Sequence, residues 1–255
     1  MTALLEIKGL TKAFGGLMAV KDVNLEINRG EIFGLIGPNG AGKTTVFNLV
    51  SGMLPSTRGT VLYEEADISG ESMHQIARRG LVRTFHLPTL FNNFTVLKNM
   101  LMGMHLHAEV GFWRSVFDTS YAKRREGEVL DRALKILQEV GLSDRKEDLA
   151  SNLAHGHRRI LQVAIGLGCE PGLLLLDEPM TGMNLQEVQE MMGLIKRLRE
   201  NRGITIALVE HNIRAVMGLC DRIAVLNFGQ KIAEGAPGEI SQNQAVIKAY
   251  LGGSL

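Results

Sequence analysis

Apolar and polar residues alternate along Leu5-Glu6-Ile7-Lys8 and again along Val23-Asn24-Leu25-Glu26-Ile27. A period of two turns one face of an extended chain to a core and the other to water, so both segments are predicted to be half-buried strands. Asn28-Arg29-Gly30-Glu31 carries turn chemistry. Continuous apolar runs then occur at Ile32–Ile36 and 173–176, and Thr205–Val209 reads as another buried strand. Short runs without a polar face predict strands covered on both sides, as in a parallel sheet. Elsewhere the period is helical. Leu130, Ala133, Leu134, Leu137 and Val140 share one face of a helix that Gly141 ends, and 185–199 turns Val188, Met191, Met192, Ile195 and Leu198 inward. Another helix is expected near Ile213–Leu219, and 222–226 with 231–234 flank Asn227-Phe228-Gly229-Gln230 as a hairpin. Strands alternating with helices predict an α/β fold with a mainly parallel core sheet and an N-terminal antiparallel β part. We expect one domain over 1–255, with 1–85 and 160–255 as its core and about 86–159 as an inserted helical subdomain.

Composition narrows the class of protein. Of 255 residues 29 are glycine, well above the usual ~7%, and they fall at the ends of apolar runs where turns belong. Lys and Arg number 28 against 27 Asp and Glu, a net charge of +1, which lacks the basic footprint of a nucleic-acid-binding domain. Apolar residues make up 45% of the chain, yet no run approaches the ~20 residues of a membrane span. The nearest candidate, around 97–117, is broken by Lys98, His105, His107, Glu109 and Arg114. Met1-Thr2-Ala3-Leu4-Leu5-Glu6 has no leader pattern, and Cys169 and Cys220 lack any metal spacing. A cytoplasmic protein with two free thiols is the expectation.

The glycine excess becomes chemistry at Gly37-Pro38-Asn39-Gly40-Ala41-Gly42-Lys43-Thr44, which fits G-x-x-x-x-G-K-[ST], with Thr45 next. The segment lies between a predicted buried strand and a predicted helix, the context in which this pattern binds phosphate. Glycines let successive N–H groups turn toward phosphate oxygens, and the helix start adds positive potential. Lys43 is expected to bridge the β- and γ-phosphates, and the Thr44 hydroxyl to bind Mg²⁺. Downstream, 173–176 ends in Asp177-Glu178-Pro179. Asp177 is expected to hold Mg²⁺ through water, and Glu178 to orient or deprotonate an attacking water. Together these point to nucleoside triphosphate hydrolysis. The GTPase pattern N-K-x-D is absent, and nothing suggests the acceptor site of a small kinase.

Further motifs follow in a fixed order: Phe14 ahead of the glycine loop, Arg83-Thr84-Phe85-His86, Leu153-Ala154-His155-Gly156-His157, the aspartate–glutamate pair, Thr181-Gly182-Met183-Asn184, and His211 within Val209-Glu210-His211-Asn212. In this order the chain resembles the ATP-binding subunit of ABC transporters over essentially its whole length, which implies a P-loop NTPase fold. Phe14-Gly15-Gly16-Leu17-Met18-Ala19-Val20, Gly80-Leu81-Val82-Arg83-Thr84-Phe85, 111–133 and Val246-Ile247-Lys248-Ala249-Tyr250-Leu251-Gly252 resemble the branched-chain (hydrophobic) amino-acid uptake group. Lipopolysaccharide-export ATPases share much of this layout.

The resemblance implies a homodimer, or a heterodimer with a related ATP-binding subunit, closing head to tail over two ATPs. Each ATP would lie between the glycine loop of one subunit and the signature residues 153–157 of the other. It implies stacking of Phe14 on adenine, although packing beneath the N-terminal sheet is the alternative. His211 would contact the γ-phosphate. Membrane permease subunits would dock near the apolar segment 86–96, with Leu87, Leu90, Phe91 and Phe94, unless those side chains form subdomain core. A periplasmic or extracellular solute-binding protein would act indirectly. The chain itself would sit peripherally on the cytoplasmic face of the membrane, and no nucleic-acid partner is expected. Arg78, Arg79 and Arg83, like Lys123-Arg124-Arg125, read as solvated faces.

Three positions depart from the family pattern. His86 stands where a glutamine usually reaches Mg²⁺ and water, and imidazole is a poorer partner for a hard cation. Ala154-His155-Gly156-His157 replaces the usual S-G-G-Q, so Ala154 offers no hydroxyl to the γ-phosphate. Asn184 replaces the usual D-loop aspartate. These are either tolerated changes in an ordinary ATPase or signs of slow hydrolysis, with an ATP-gated interaction module as the limiting case. A zinc site from His86, His155 and His157, or from His105 and His107, lacks a recognised ligand spacing.

Overall fold

The computed structural model describes residues 3–84, 90–107 and 119–251. They divide into two compact units, one of Met1–Arg83 with Gly172–Leu255 and one of Thr84–Pro171. In chain order the elements up to the second unit are β1 (Ala3–Phe14), β2 (Leu17–Asn28), β3 (Ile32–Ile36), α1 (Lys43–Val50), β4 (Arg58–Tyr63), β5 (Ala66–Asp67), α2 (Met73–Arg78) and β6 (Leu81–Thr84). The second unit contains α3 (Val96–His107), α4 (Thr119–Glu139) and α5 (His155–Leu167). The chain returns through β7 (Leu173–Asp177), α6 (Leu185–Arg202), β8 (Thr205–Val209), α7 (Ile213–Leu219), β9 (Arg222–Asn227), β10 (Gln230–Gly235), α8 (Pro237–Gln242) and α9 (Gln244–Leu251).

The two sheets follow from the two hydrophobic patterns. Alternating segments form an antiparallel sheet in the order β2-β1-β4-β5. Strands β1 and β2 run to twelve residues each, longer than the alternation predicts. The alternation is interrupted where the pairing register shifts, between Ile7 and Leu10 and again before Lys12. Such bulges let the strands continue while the side chains change face. The apolar runs form the centre of the second sheet, in the order β10-β9-β3-β8-β7-β6. There β3 pairs in parallel with β8 and β9, β7 pairs in parallel with β8, and β9–β10 is the expected antiparallel hairpin. All five residues of β3 and of β8 are buried.

One core joins these layers. Phe33, Leu35, Leu175, Ala207 and Val209 of the parallel-rich sheet cluster with Val46 and Phe47 of α1 and with Leu5, Ile7, Leu10 and Leu25 of the antiparallel sheet. Fully burying a side chain of this size stabilises by about 1.5–3 kcal/mol. The end of β3 and the start of α1 are therefore fixed from both sides before any ligand arrives.

In the second unit, Ala133, Ile136 and Leu137 of α4 are buried, with Val140 just beyond its end, and Gly141 at φ 80° breaks the helix as predicted. Leu130, expected on the same face, is 37% exposed. Buried Asn99 donates to the carbonyls of Phe91, Phe94 and Thr95 and accepts from Phe91 N–H, which shapes the segment before α3. Of the apolar residues expected there, Leu90 is buried, while Phe91 and Phe94 are exposed and stacked at 5.1 Å. Leu87 lies outside the described residues, as do the side chains of Lys123, Arg124 and Arg125. Both cysteines are free, and burial pushes each thiol up to about 12. Among the described residues no helix is long and apolar enough to cross a membrane.

Candidate functional site

Buried strand β3 delivers the chain into a loop of left-handed glycines, with φ 152° at Gly37, 76° at Gly40 and 99° at Gly42. Space requires glycine as well. A Cβ on Gly37 would stand 2.1 Å from the Leu226 carbonyl oxygen, and one on Gly42 would stand 2.5 Å from that of Ala19. Gly42 begins α1 without a side-chain cap, so the first N–H groups of the helix meet no capping oxygen and suit an anion. Inside the loop, Lys43 Nζ donates to the carbonyls of Gly37 at 2.8 Å and Pro38 at 2.9 Å. Burial lowers the Lys43 pKa from 10.5, opposed by the charges of Glu178 and Asp177.

Distant segments hold the loop in place. Gly229 N–H donates to Ala41 O at 3.0 Å, and Lys21 N–H donates to Gly229 O at 2.8 Å. Phe228, beside Gly229, stands 87% exposed at φ 46°. From α9, the Tyr250 phenol meets the Gly37 backbone, and burial pushes it up to about 12 against that hydrogen bond. A cavity of about 690 Å³ lies in front of the loop, lined by residues 39–45 with Leu17, Met18, Glu178, His211 and Phe228. The sequence reading missed Leu17, Met18 and Phe228 as parts of this wall. Phe228 had a signal in its turn, a large aromatic placed where a small polar residue is usual.

The carboxylates come from the end of β7. The parallel register sets Asp177 opposite Val209, and Glu178 N–H donates to Val209 O at 2.9 Å. Glu178 is held at φ 50°, a left-handed conformation uncommon outside glycine and often found at active sites. Its Oε1 lies 2.7 Å from His211 Nε2, and its Oε2 accepts from Thr181 Oγ1 at 3.1 Å. Lys43, Thr44, Thr45, Glu178 and His211 thus line one cavity. Glu210, which the sequence reading did not single out, is 1% exposed. Its carboxylate accepts N–H bonds from Met180 at 2.6 Å, His211 at 3.0 Å and Asn212 at 3.4 Å. Burial raises its pKa, partly offset by those bonds. Glu210 anchors the residues after β7 and β8 to each other, and an acid directly before the histidine was its only signal.

Arg83 corrects an expectation. Its neighbours predict a solvated side chain, yet that side chain is 1% exposed and its Nη2 lies 2.5 Å from Asp177 Oδ2. Its Nη1 donates to Asn48 Oδ1 at 2.6 Å and Ser51 Oγ at 3.3 Å, and its guanidinium lies 5.8 Å from the Phe47 ring centre. A buried carboxylate needs such a partner. Asn184 caps α6, accepting from Gln186 and Glu187 N–H while Glu187 returns a bond to Asn184 N–H. Phe14 is 46% exposed with Lys12 Nζ 5.1 Å above its ring, so it is not core beneath the sheet.

The signature residues lie in the second unit. Leu153 and Gly156 are buried, Ala154 and His155 are exposed, and Ala154 begins α5 with no side-chain cap. His157 Nδ1 is buried without a partner among the described residues. His86 lies outside the described residues, as do the side chains of His105 and His107. Among the described residues no group of three or more His, Cys, Asp or Glu is arranged to hold a metal.

The "ABC transporter" family pattern matches residues 20–181, and the "Branched-chain amino acid ATP-binding cassette transporter" pattern matches residues 230–254. The high-affinity branched-chain amino acid transport ATP-binding protein LivG of Escherichia coli (strain K12) is 45% identical over 249 residues, 98% of either chain. The lipopolysaccharide export system ATP-binding protein LptB of the same organism is 34% identical over 98% of both chains. The ADP conformation of MJ1267, an ATP-binding cassette of an ABC transporter, superimposes with TM-score 0.88 at 28% identity, over 99% of this chain and 100% of that one.

Proposed function

From its membership of the ABC transporter family, as an ATP-binding subunit of the branched-chain amino-acid type, we propose that this chain hydrolyses ATP to drive branched-chain amino-acid uptake through separate permease subunits. The observation that carries the reading is the single cavity in which Lys43, Thr44, Glu178 and His211 converge behind a loop of left-handed glycines. Greater identity to the amino-acid transport relative than to the lipopolysaccharide export relative, together with the match over residues 230–254, favours amino acids as cargo.

Each residue has a physical task. Phosphate oxygens replace the carbonyls of Gly37 and Pro38 as acceptors for the Lys43 ammonium, while loop N–H groups bind the remaining oxygens. Glu178 accepts the proton of an attacking water or orients it, and His211, 2.7 Å away, fixes that carboxylate and reaches the γ-phosphate. Glu210 keeps His211 in place through the backbone. Thr44 and Asp177 offer only oxygen donors, which suits Mg²⁺ and would hold it. When bound, Mg²⁺ neutralises phosphate charge. Phe14 serves as an adenine platform. The exposed signature residues 154 and 155 complete the site of a second subunit in a head-to-tail dimer, and a solute-binding protein selects the cargo outside. The subunit works on the cytoplasmic face of the membrane.

Reconstitution with the permease subunits in proteoliposomes tests this. ATP inside the vesicle compartment that holds the subunit should drive transport of labelled leucine, and Lys43→Ala should abolish both transport and ATP turnover. Turnover that transports no leucine, isoleucine or valine but responds to lipopolysaccharide would refute the cargo assignment.

A further inference from the structure

We propose that Arg83 stands in for the divalent cation at Asp177: its guanidinium holds the carboxylate's charge while no metal is bound, and thereby weakens metal binding. This rests on the reading of Asp177 as a cation-binding carboxylate. Three observations carry it. The ion pair is short, at 2.5 Å, and both side chains are nearly shut off from water, at 1% and 7% exposure. An ionised carboxylate at such a place is unstable without a positive partner, and arginine cannot lose its proton to relieve the pairing. Finally, Arg83 is tethered. Its other nitrogen is bonded to Asn48 and Ser51 at the far end of α1, and its face lies over Phe47. A guanidinium held by the helix that carries Lys43 and Thr44 does not simply swing out when a metal arrives.

Asp177 therefore meets any metal as a carboxylate whose Oδ2 already accepts a charge-assisted hydrogen bond. A second cation brought to the same carboxylate meets the repulsion of the guanidinium already there, on the order of tenfold in metal affinity. Arg83 is a positioning residue in this account, since it acts on phosphate chemistry only through Asp177. Its metal-free benefit is the complement of its metal-bound cost, and that reciprocity separates it from a packing strut.

The test uses the full chain as its ADP complex, with Mn²⁺ binding read by electron paramagnetic resonance and thermal melting recorded with and without Mn²⁺. Arg83→Gln should bind Mn²⁺ about tenfold or more tightly than wild type. It should melt lower than wild type without metal, and gain more from metal. Arg83→Lys, which keeps the charge, should stay within about threefold of wild type in Mn²⁺ affinity. Asp177→Asn should bind Mn²⁺ about tenfold or more weakly. Unchanged or weaker Mn²⁺ binding in Arg83→Gln, with the same loss of melting temperature in both conditions, overturns the proposal while leaving Asp177 in its role. Unchanged binding in Asp177→Asn overturns both. If Arg83→Gln does not fold, Arg83→Gln/Asp177→Asn should fold and melt near wild type, because no charge is then buried alone. A double variant as unstable as the single one means that Arg83 acts by packing, and the proposal fails.

Discussion

Residues 37–45 and residues 153–157 each lead the chain into the first turn of a helix, the first through glycines and the second with Gly156 inside the turn, but they are completed in different ways. The first is closed by its own chain. Left-handed glycines curl it, Lys43 fills its centre, and Gly229 and Lys21 pin its outer side. The second is left open. Ala154 and His155 are exposed, and α5 starts on a residue whose methyl group caps nothing. A phosphate loop must be organised before phosphate arrives, because the N–H groups only help if they already converge. A signature segment that works on the nucleotide of another subunit instead has to present its donors outward. On the proposed reading, the contrast separates a site from half a site.

The largest expected effect comes from removing the proton acceptor while leaving the loop intact. Glu178→Gln should lower steady-state ATP turnover about 10²–10⁴-fold with ATP affinity retained. With hydrolysis blocked, ATP should shift the protein to a dimer on size exclusion; a chain that stays monomeric at saturating ATP would show that 153–157 is not half of a shared site. Next in size is a stability difference between the two segments. Gly42→Ala puts a Cβ 2.5 Å from Ala19 O at φ 99° and should cost about 2–4 kcal/mol in urea denaturation. His155→Ala, at an exposed position, should stay within about 0.5 kcal/mol. Comparable losses in the two variants would erase the distinction drawn here. The smallest effect finishes the open end. Ala154→Ser supplies a cap to α5 and should stabilise by about 0.5–2 kcal/mol, seen as a rise in melting temperature. It should also raise turnover in the assembled transporter, and a rise in stability with no change in rate would assign Ala154 to the helix alone.

The same contrast governs what could be read in advance. The glycine loop was legible because its chemistry is contiguous, with buried strand, glycines, Lys43 and Thr44 all between Ile32 and Thr44. The runs at β3, β7 and β8 were legible because a strand buried on both faces is almost wholly apolar between its ends. The contact of Glu178 with His211 needed β7 beside β8 in parallel register, which periodicity does not give; family motif order named both residues but not their contact. Arg83 was misread for a similar reason. Next to Arg78 and Arg79 it looks like part of a charged face, while its partner Asp177 is 94 residues away. Helical spacing places Leu130 inward, although among the described side chains of α4 the first buried one is Ala133. Asn184 could have been found: Asn-x-x-Glu before an apolar run is a capping box, and the structure forms it.

The order of strands also bears on the nascent chain. Strand β3 is held between β8 and β9, so that Gly30 N–H bonds Thr205, 175 residues onward, and Ile32 N–H bonds Asp221, 189 residues onward. At translation speeds of about 5–20 residues per second, those partners emerge roughly 10–40 s after β3. During that interval Ile32–Ile36 is an unpaired apolar strand, and contacts this distant in sequence form late. The phosphate loop that follows β3 waits on Gly229 as well. A prematurely terminated chain therefore displays the whole glycine motif yet lacks the scaffold that holds it, and nucleotide binding is expected only once Gly229 has been made.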